Sequence, residues 1–197
     1  LGFGLVLVLL VVLAMVSLSR MNSIHASLNK VINENNVIVK ELGDMRQSVM
    51  QVAVSVSYAS VMIVEEELKE EIKKIETADE EYKQSAATLA ALIKDDAGKA
   101  LFAKIAEGHA ATTPAVKNAL ALAVRQADVI PVLLSNVVPH QRKWIAAMNE
   151  MIAYQETLAQ KTSEEAASAY SNARMLTLAL AGAALIMPLA MALLSAA

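Results

Sequence analysis

MNSIHASLNKVINENNVIVKELGDMRQSVMQVAVSVSYA, residues 21–59, decides the architecture. Taken in sevens it contains two rows. One is Met21, Leu28, Asn35, Leu42, Val49 and Val56; the other is Ile24, Val31, Ile38, Met45, Val52 and Ala59. Eleven of these twelve positions are apolar, at intervals that alternate three and four. A helix with such rows packs along its length against other helices. Asn35 interrupts the seam, either as a polar residue that sets register or as a ligand contact. Gly43 weakens the helix by about 1 kcal/mol against Ala. Residues 52–64 are rich in Val and Ser and locally strand-like, but they keep the heptad, so the helix is expected to reach about Met62.

Outward from this stretch, the apolar content is concentrated at the ends. Of 197 residues, 56% are hydrophobic, which is high for a soluble domain. Residues 1–18 and the 23 residues 175–197 carry no charge. About 20 apolar residues span a bilayer as a helix. Two transmembrane helices are therefore expected, over 1–19 and 175–197, around a domain of residues 20–174. The first is too long for a signal-peptide core, and no clean small-x-small cleavage site follows it. Two spans place both outer ends of the chain on one side of the membrane. There is no cysteine, which excludes disulfides, thiolate metal sites and a thiol nucleophile. The net charge of −3 includes no basic tract, so nucleic acid is not an expected partner. No nucleophile–base pair or phosphate loop stands at a recognisable spacing, so no catalysis is expected.

Three further helices follow. Acidic Glu65, Glu66 and Glu67 suit a helix N-terminus. The second seam is Leu68, Ile72, Ile75, Tyr82, Ala86, Leu89 and Ile93, with Asp79 as the misfit. A turn at 94–98 offers Asp95 or Asp96 as N-cap. The third helix should run from about Ala97 to Gln126, its main stripe Leu101, Ile105, Ala115, Ala119 and Leu122. Gly108 and Thr112 share that stripe, and Phe102, His109, Val116 and Ala123 form the next row. Its small middle implies close helix contact or a cavity, and Pro114 should bend it. Residues 128–136, with Pro131, read as a short helix or turn, and Pro139 as the opening of the fourth helix. That helix has two apolar faces, one through Ile145, Met148 and Ile152, the other through Trp144, Met151 and Leu158. Two faces suggest two neighbours, within the bundle or across a dimer. It runs without a breaker into the second span, where Pro188 is tolerated or introduces a kink. The fold class is thus all-α: an up-down-up-down four-helix bundle flanked by two transmembrane helices.

This arrangement resembles the sensor half of a bacterial methyl-accepting chemotaxis receptor. LAALIKDDAGKAL, residues 89–101, looks like the family's second turn, and VVPHQRKWIAAMNEMIAYQ, residues 137–155, is similar to its fourth-helix opening. The resemblance implies an inner-membrane homodimer with a periplasmic sensor domain. A small ligand would bind in its membrane-distal half, and a piston-like slide of the fourth helix would signal inward. A cytoplasmic kinase complex would be engaged through a region after Ala197. Sensor histidine kinases and nucleotide cyclases borrow the same bundle and are the alternative.

Candidate ligand residues come from height along the bundle. At about 1.5 Å per residue, Arg46 stands roughly 40 Å above Arg20, and Arg142 roughly 48 Å above Arg174. Arg125 ends the third helix near that level, and His140 and Lys143 flank Arg142. Each alone is an ordinary exposed charge; as a set they suit the carboxylates of a di- or tricarboxylic acid or an amino acid. The receptors that this chain resembles use first-helix arginines for such acids, although Ser57 and Tyr58 stand here where an arginine is often found. Thr112 and Thr113 could add hydroxyl contacts inside the bundle. A haem- or metal-binding bundle would need His25, His109, His140 or methionines as ligands. No attachment motif accompanies them, and no cofactor or metal is expected.

Overall fold

The computed structural model describes the backbone of residues 2–195, and side chains chiefly over residues 33–179. Among the described residues every regular element is helical. The chain divides into two compact units: Leu1–Asn33 with Leu158–Ala197, and Glu34–Thr157. The first contains α1 (Gly2–Lys30) and the later part of the long helix α6 (Val138–Ser195). Among the described residues no helix is long and apolar enough to cross a membrane. The expected spans, 1–19 and 175–197, lie in large part among residues whose side chains are outside the described set; Leu1, Ala196 and Ala197 lie outside it altogether.

The second unit is the bundle. It is built from α2 (Asn36–Ala59), α3 (Glu65–Leu92), α4 (Asp96–Val124), the single turn α5 (Ile130–Val132) and the start of α6. Its neighbours run antiparallel. Asn35 meets Gln155 while Arg46 meets Asn149, so α2 and α6 run in opposite senses. Lys104 pairs with Glu150 and Gly108 faces Trp144, which does the same for α4 and α6. From Asn35 onward both rows of the seam are buried, from Ile38 and Leu42 down to Val56 and Ala59. Asn35 itself is buried, and its Nδ2 donates to the Gln155 carbonyl at 3.3 Å.

The core has two clusters. Leu42, Met45, Leu89, Ile105, Met148 and Met151 centre one; Val56, Ile75, Val116, Ala119 and Val137 centre the other. On α3 the buried row is Leu68, Glu71, Ile75, Ala78, Tyr82, Ser85 and Leu89. Glu71, Ala78 and Ser85 were not expected there, while Ile72, Ala86 and Asp79 are half-buried. Helix packing buries a continuous three-four row whatever its chemistry, and small or polar members of that row carry no hydropathy signal.

Several boundaries differ from expectation. Residues Val31–Asn35 form a π-turn, so the helix widens where the intervals of three and four had suggested an unbroken seam. The first bundle helix ends at Ala59 rather than Met62, because Val64 is already extended (φ −83°, ψ 123°) ahead of the acidic turn at Glu65. Asp95 is the N-cap of α4, its Oδ1 accepting from the Gly98 N–H at 2.8 Å. That helix closes with Gln126 in the left-handed region (φ 53°) and the Ala127 N–H on the Leu122 carbonyl. Helical winding resumes at Ile130, earlier than the Pro139 start. A π-turn at Leu133–Val137 precedes the proline, with the Val138 N–H reaching back to the Leu133 carbonyl. Pro139 has no N–H for the turn behind it, and the wider turn accommodates that loss. α4 runs through Pro114, which is exposed. Just before it, the Thr112 and Thr113 hydroxyls donate to the Gly108 and His109 carbonyls at 2.7 and 2.9 Å.

Two glycines give opposite predictions. A Cβ on Gly43 would meet nothing within 4 Å, whereas one on Gly108 would lie 2.8 Å from Trp144 Cβ and Cδ1. Gly43→Ala should raise stability by about 0.5–1 kcal/mol. Gly108→Ala should lower it by about 1–3 kcal/mol through overpacking. Urea unfolding of the two variants measures both.

Candidate functional site

A polar and aromatic cluster lies midway along the bundle. α3 contributes Asp79 and Tyr82, three residues apart and so on neighbouring positions of one face. α4 contributes Gly108 and His109, and α6 contributes Trp144. The Tyr82 and His109 rings stack at 4.6 Å and 18°. Trp144 meets Tyr82 edge-on at 4.8 Å and lies 5.2 Å from His109. The indole comes this close because residue 108 has no side chain. His109 Nε2 lies 2.8 Å from Asp79 Oδ1; since a carboxylate accepts, Nε2 carries the proton. The other Asp79 oxygen takes Lys83 Nζ at 2.7 Å.

These contacts decide the charge state of the carboxylate. Burial disfavours a charged Asp79, but the hydrogen bonds from Lys83 and His109 outweigh it, and its pKa falls below the usual range. The hydrogen bonds that Lys83 donates to Asp79 and Glu80 raise its own pKa. Burial pushes Tyr82 up to about 12, so it remains a neutral phenol. Trp144 is 4% exposed, and its indole N–H lies near enough to the Tyr82 oxygen to oppose that rise, though no hydrogen bond of full geometry joins them.

Beside this cluster is a cavity of about 170 Å³. Val52 of α2, Ile75 and Asp79 of α3, Thr112 and Val116 of α4, and Trp144 of α6 are among its walls. It opens where the two halves of the core meet: Trp144 belongs to one, and Val52, Ile75 and Val116 to the other. A second space, an open groove of about 470 Å³ between α4 and α6, is lined by Lys104, Glu107, Gly108, His140, Lys143 and Glu150 among others.

The expected ligand residues are distributed between these spaces and elsewhere. Thr112 and Thr113 line the cavity, with both hydroxyl protons already given to carbonyls one turn back. His140 and Lys143 line the groove. His140 Nδ1 donates to the Asn136 carbonyl at 2.6 Å, which leaves Nε2 as the ring atom for other contacts. Arg46, Arg125 and Arg142 are exposed and line neither space. Arg46 reaches Asn149 at 3.4 Å, and Arg125 is the C-cap of α4. The shared height of these cations on the bundle does not give them a shared face. Among the described residues no group of three or more His, Asp or Glu could hold a metal ion. The sequence reading passed over Tyr82, Asp79 and Trp144 as site residues. Their signal was an acid in an apolar seam and a glycine at the level of the only tryptophan.

The family of four-helix-bundle sensory modules for signal transduction matches residues 1–170. The chain belongs to this family. The match agrees with the resemblance to a chemotaxis-receptor sensor region, and it assigns the bundle a sensory role. No curated protein and no solved structure matches the chain.

The Asp79 contacts give this sensory module an acid-sensitive element. Because the folded pKa is depressed, the contribution of Asp79 is full above the unfolded value near 3.9 and is lost as pH falls through the lower folded value. Asp79→Asn should cost about 1–2 kcal/mol at neutral pH. It should also flatten the decline in stability as pH falls below about 4. Thermal melts of both proteins across that range provide the comparison.

Proposed function

We propose that this chain is the sensing region of a transmembrane chemoreceptor that detects a small extracytoplasmic ligand. The family match over residues 1–170 carries the reading. In this reading residues 1–19 and 175–197 cross a bacterial inner membrane and hold the 20–174 bundle in the periplasm. The support for the spans is their lack of charge over 18 and 23 residues. The signal passes along α6 into the second span and reaches a cytoplasmic kinase complex through a region beyond Ala197. The same sensory module on a histidine kinase or nucleotide cyclase is the second reading. The output domain joined to the second span separates the two.

The ligand class is an organic acid or an amino acid. The α4–α6 groove supports it, because Lys143 and His140 supply donors while Glu107 and Glu150 supply acceptors. An amino acid carries both complementary charges, and a di- or tricarboxylate would use the cationic side alone. The module acts as a homodimer. Met50, Val54 and Tyr58 follow one another at four-residue spacing on α2, and Val61 stands three beyond; all four are about half exposed or more. Such a stripe is what a partner helix covers.

Two measurements test this. Calorimetry of the whole chain against amino acids and di- and tricarboxylates should give saturable heat, weakened about tenfold by Lys143→Ala. A folded chain that binds no acid removes the ligand class. In sedimentation, Val54→Lys should shift the chain toward monomer; an unchanged dimer would move the interface off α2.

A further inference from the structure

The Asp79–His109 contact joins α3 to α4 through a side chain of the type that changes charge near neutral pH. Its neighbours keep their charge states there. Asp79 stays ionised, because its pKa lies below the usual range, and burial holds the Tyr82 phenol at about 12. The His109 side chain is 23% exposed, so solvent can deliver the proton.

The surroundings of the ring accommodate both charge states. Neutral, His109 donates its Nε2 proton to Asp79 Oδ1 at 2.8 Å. Charged, it makes the same contact as an ion pair, and charge-assisted hydrogen bonds are roughly twice as strong as neutral ones. The Tyr82 ring at 4.6 Å and the Trp144 ring at 5.2 Å both lie within cation–π reach of an imidazolium. The opposing charge is Lys83, on the other Asp79 oxygen at 2.7 Å. Lys83 is 50% exposed and also holds Glu80 at 2.8 Å, so it can yield Asp79 to His109 without losing an acidic partner. Glu76 and Lys117 share the cavity wall with His109; they are exposed and opposite in sign. From α6 the uncharged indole meets the ring, and α2 sends Val52 to the wall. Glu107, His140 and Lys143 line the α4–α6 groove instead.

We propose that Asp79 and His109 form a proton-operated tie between α3 and α4. As the pH around the bundle falls through the neutral range, His109 takes up a proton at Nδ1 and its hydrogen bond to Asp79 becomes an ion pair. Gly108, next to His109 in the chain, carries the Trp144 indole, so the change reaches α6 as well. The sensory bundle thereby reads pH besides any ligand. The tie rests on contacts within the bundle and needs neither the spans, the dimer nor an acid ligand.

Trp144 is the only tryptophan in the chain, and an imidazolium in contact with an indole quenches its emission. Emission of the whole chain should fall reversibly between about pH 8 and pH 5, with helicity unchanged. The fall should vanish in His109→Gln. It should persist in His140→Gln, which removes the imidazole one turn before Trp144. Asp79→Asn keeps the ring and removes the anion, so its transition should move down by about 1 pH unit or more. That shift also decides the matter if His109→Gln melts early. The loss of melting temperature in Asp79→Asn should be larger at about pH 5.5 than at about pH 8, since an ion pair outweighs a neutral hydrogen bond. A flat titration of the folded chain overturns the proposal. So does a transition that survives in His109→Gln or is lost in His140→Gln. An Asp79→Asn transition at unchanged pH, or an equal melting loss at both pH values, overturns it too. A chain that shows the transition but binds no acid keeps the tie and loses the acid ligand class.

Discussion

The contact on which the bundle depends is an indole lying on bare backbone. Trp144 of α6 rests on Gly108 of α4 so closely that even a methyl group would intrude to 2.8 Å. That approach fixes the separation of the two helices at one level. His109, next in the chain, is thereby carried to α3, where the Tyr82 ring and the Asp79 carboxylate receive it. One turn further along α4, Thr112 and Thr113 face the space the indole leaves open. Aromatic packing, ion pair and cavity thus follow from a single missing side chain.

The cluster interrupts an otherwise apolar core, and the interruption is stable because its polar groups have partners. Asp79 is one-third exposed and meets two cations or donors, so its charge does not face the interior alone. Elsewhere in the core the same rule holds less fully. Glu71, 5% exposed, pairs one oxygen with Lys74 at 2.6 Å; its further support is the nearby Ser55 hydroxyl, and Oε2 has no hydrogen bond of full geometry among the described residues. The cavity persists for a related reason. Where the cavity opens, α4 offers Thr112 and Thr113 between His109 and Val116, and threonine is too short to fill the volume between the helices. Close packing normally removes such space; here hydrogen bonds and ring contacts hold the helices where side-chain volume does not.

How much of this could be read in the sequence depended on the residue type that carried it. From Asn35 to Ala59 the two rows of the seam are buried as their spacing implies. Leu, Ile, Val and Met at three-four intervals leave a helix one way to face its neighbours. On α3 apolar residues alone gave an incomplete row, since Glu71, Ala78 and Ser85 are core by position rather than by hydropathy. The two apolar faces of α6 merge in the bundle into one, Gln141, Trp144, Met148, Met151 and Gln155, with Ala147 beside it. The cations were placed by rise per residue, which fixes height and says nothing of azimuth. Lys143 and His140 therefore share a groove, while Arg46, Arg125 and Arg142 point elsewhere. The π-turn at Val31–Asn35 has no evident mark in the sequence; the one at Leu133–Val137 is marked only by the proline after it.

The charged groove and the apolar cavity are not independent spaces. Gly108 is a wall of the groove, and the indole pressed against it is a wall of the cavity. Lys143 and Trp144 are consecutive on α6, one in each lining. A displacement of α6 against α4 that loosens the Gly108 contact alters both volumes together, and one that tightens it is resisted by overlap. Occupancy of either space therefore biases the same helix pair, and two ligands that prefer different separations of that pair are coupled through it.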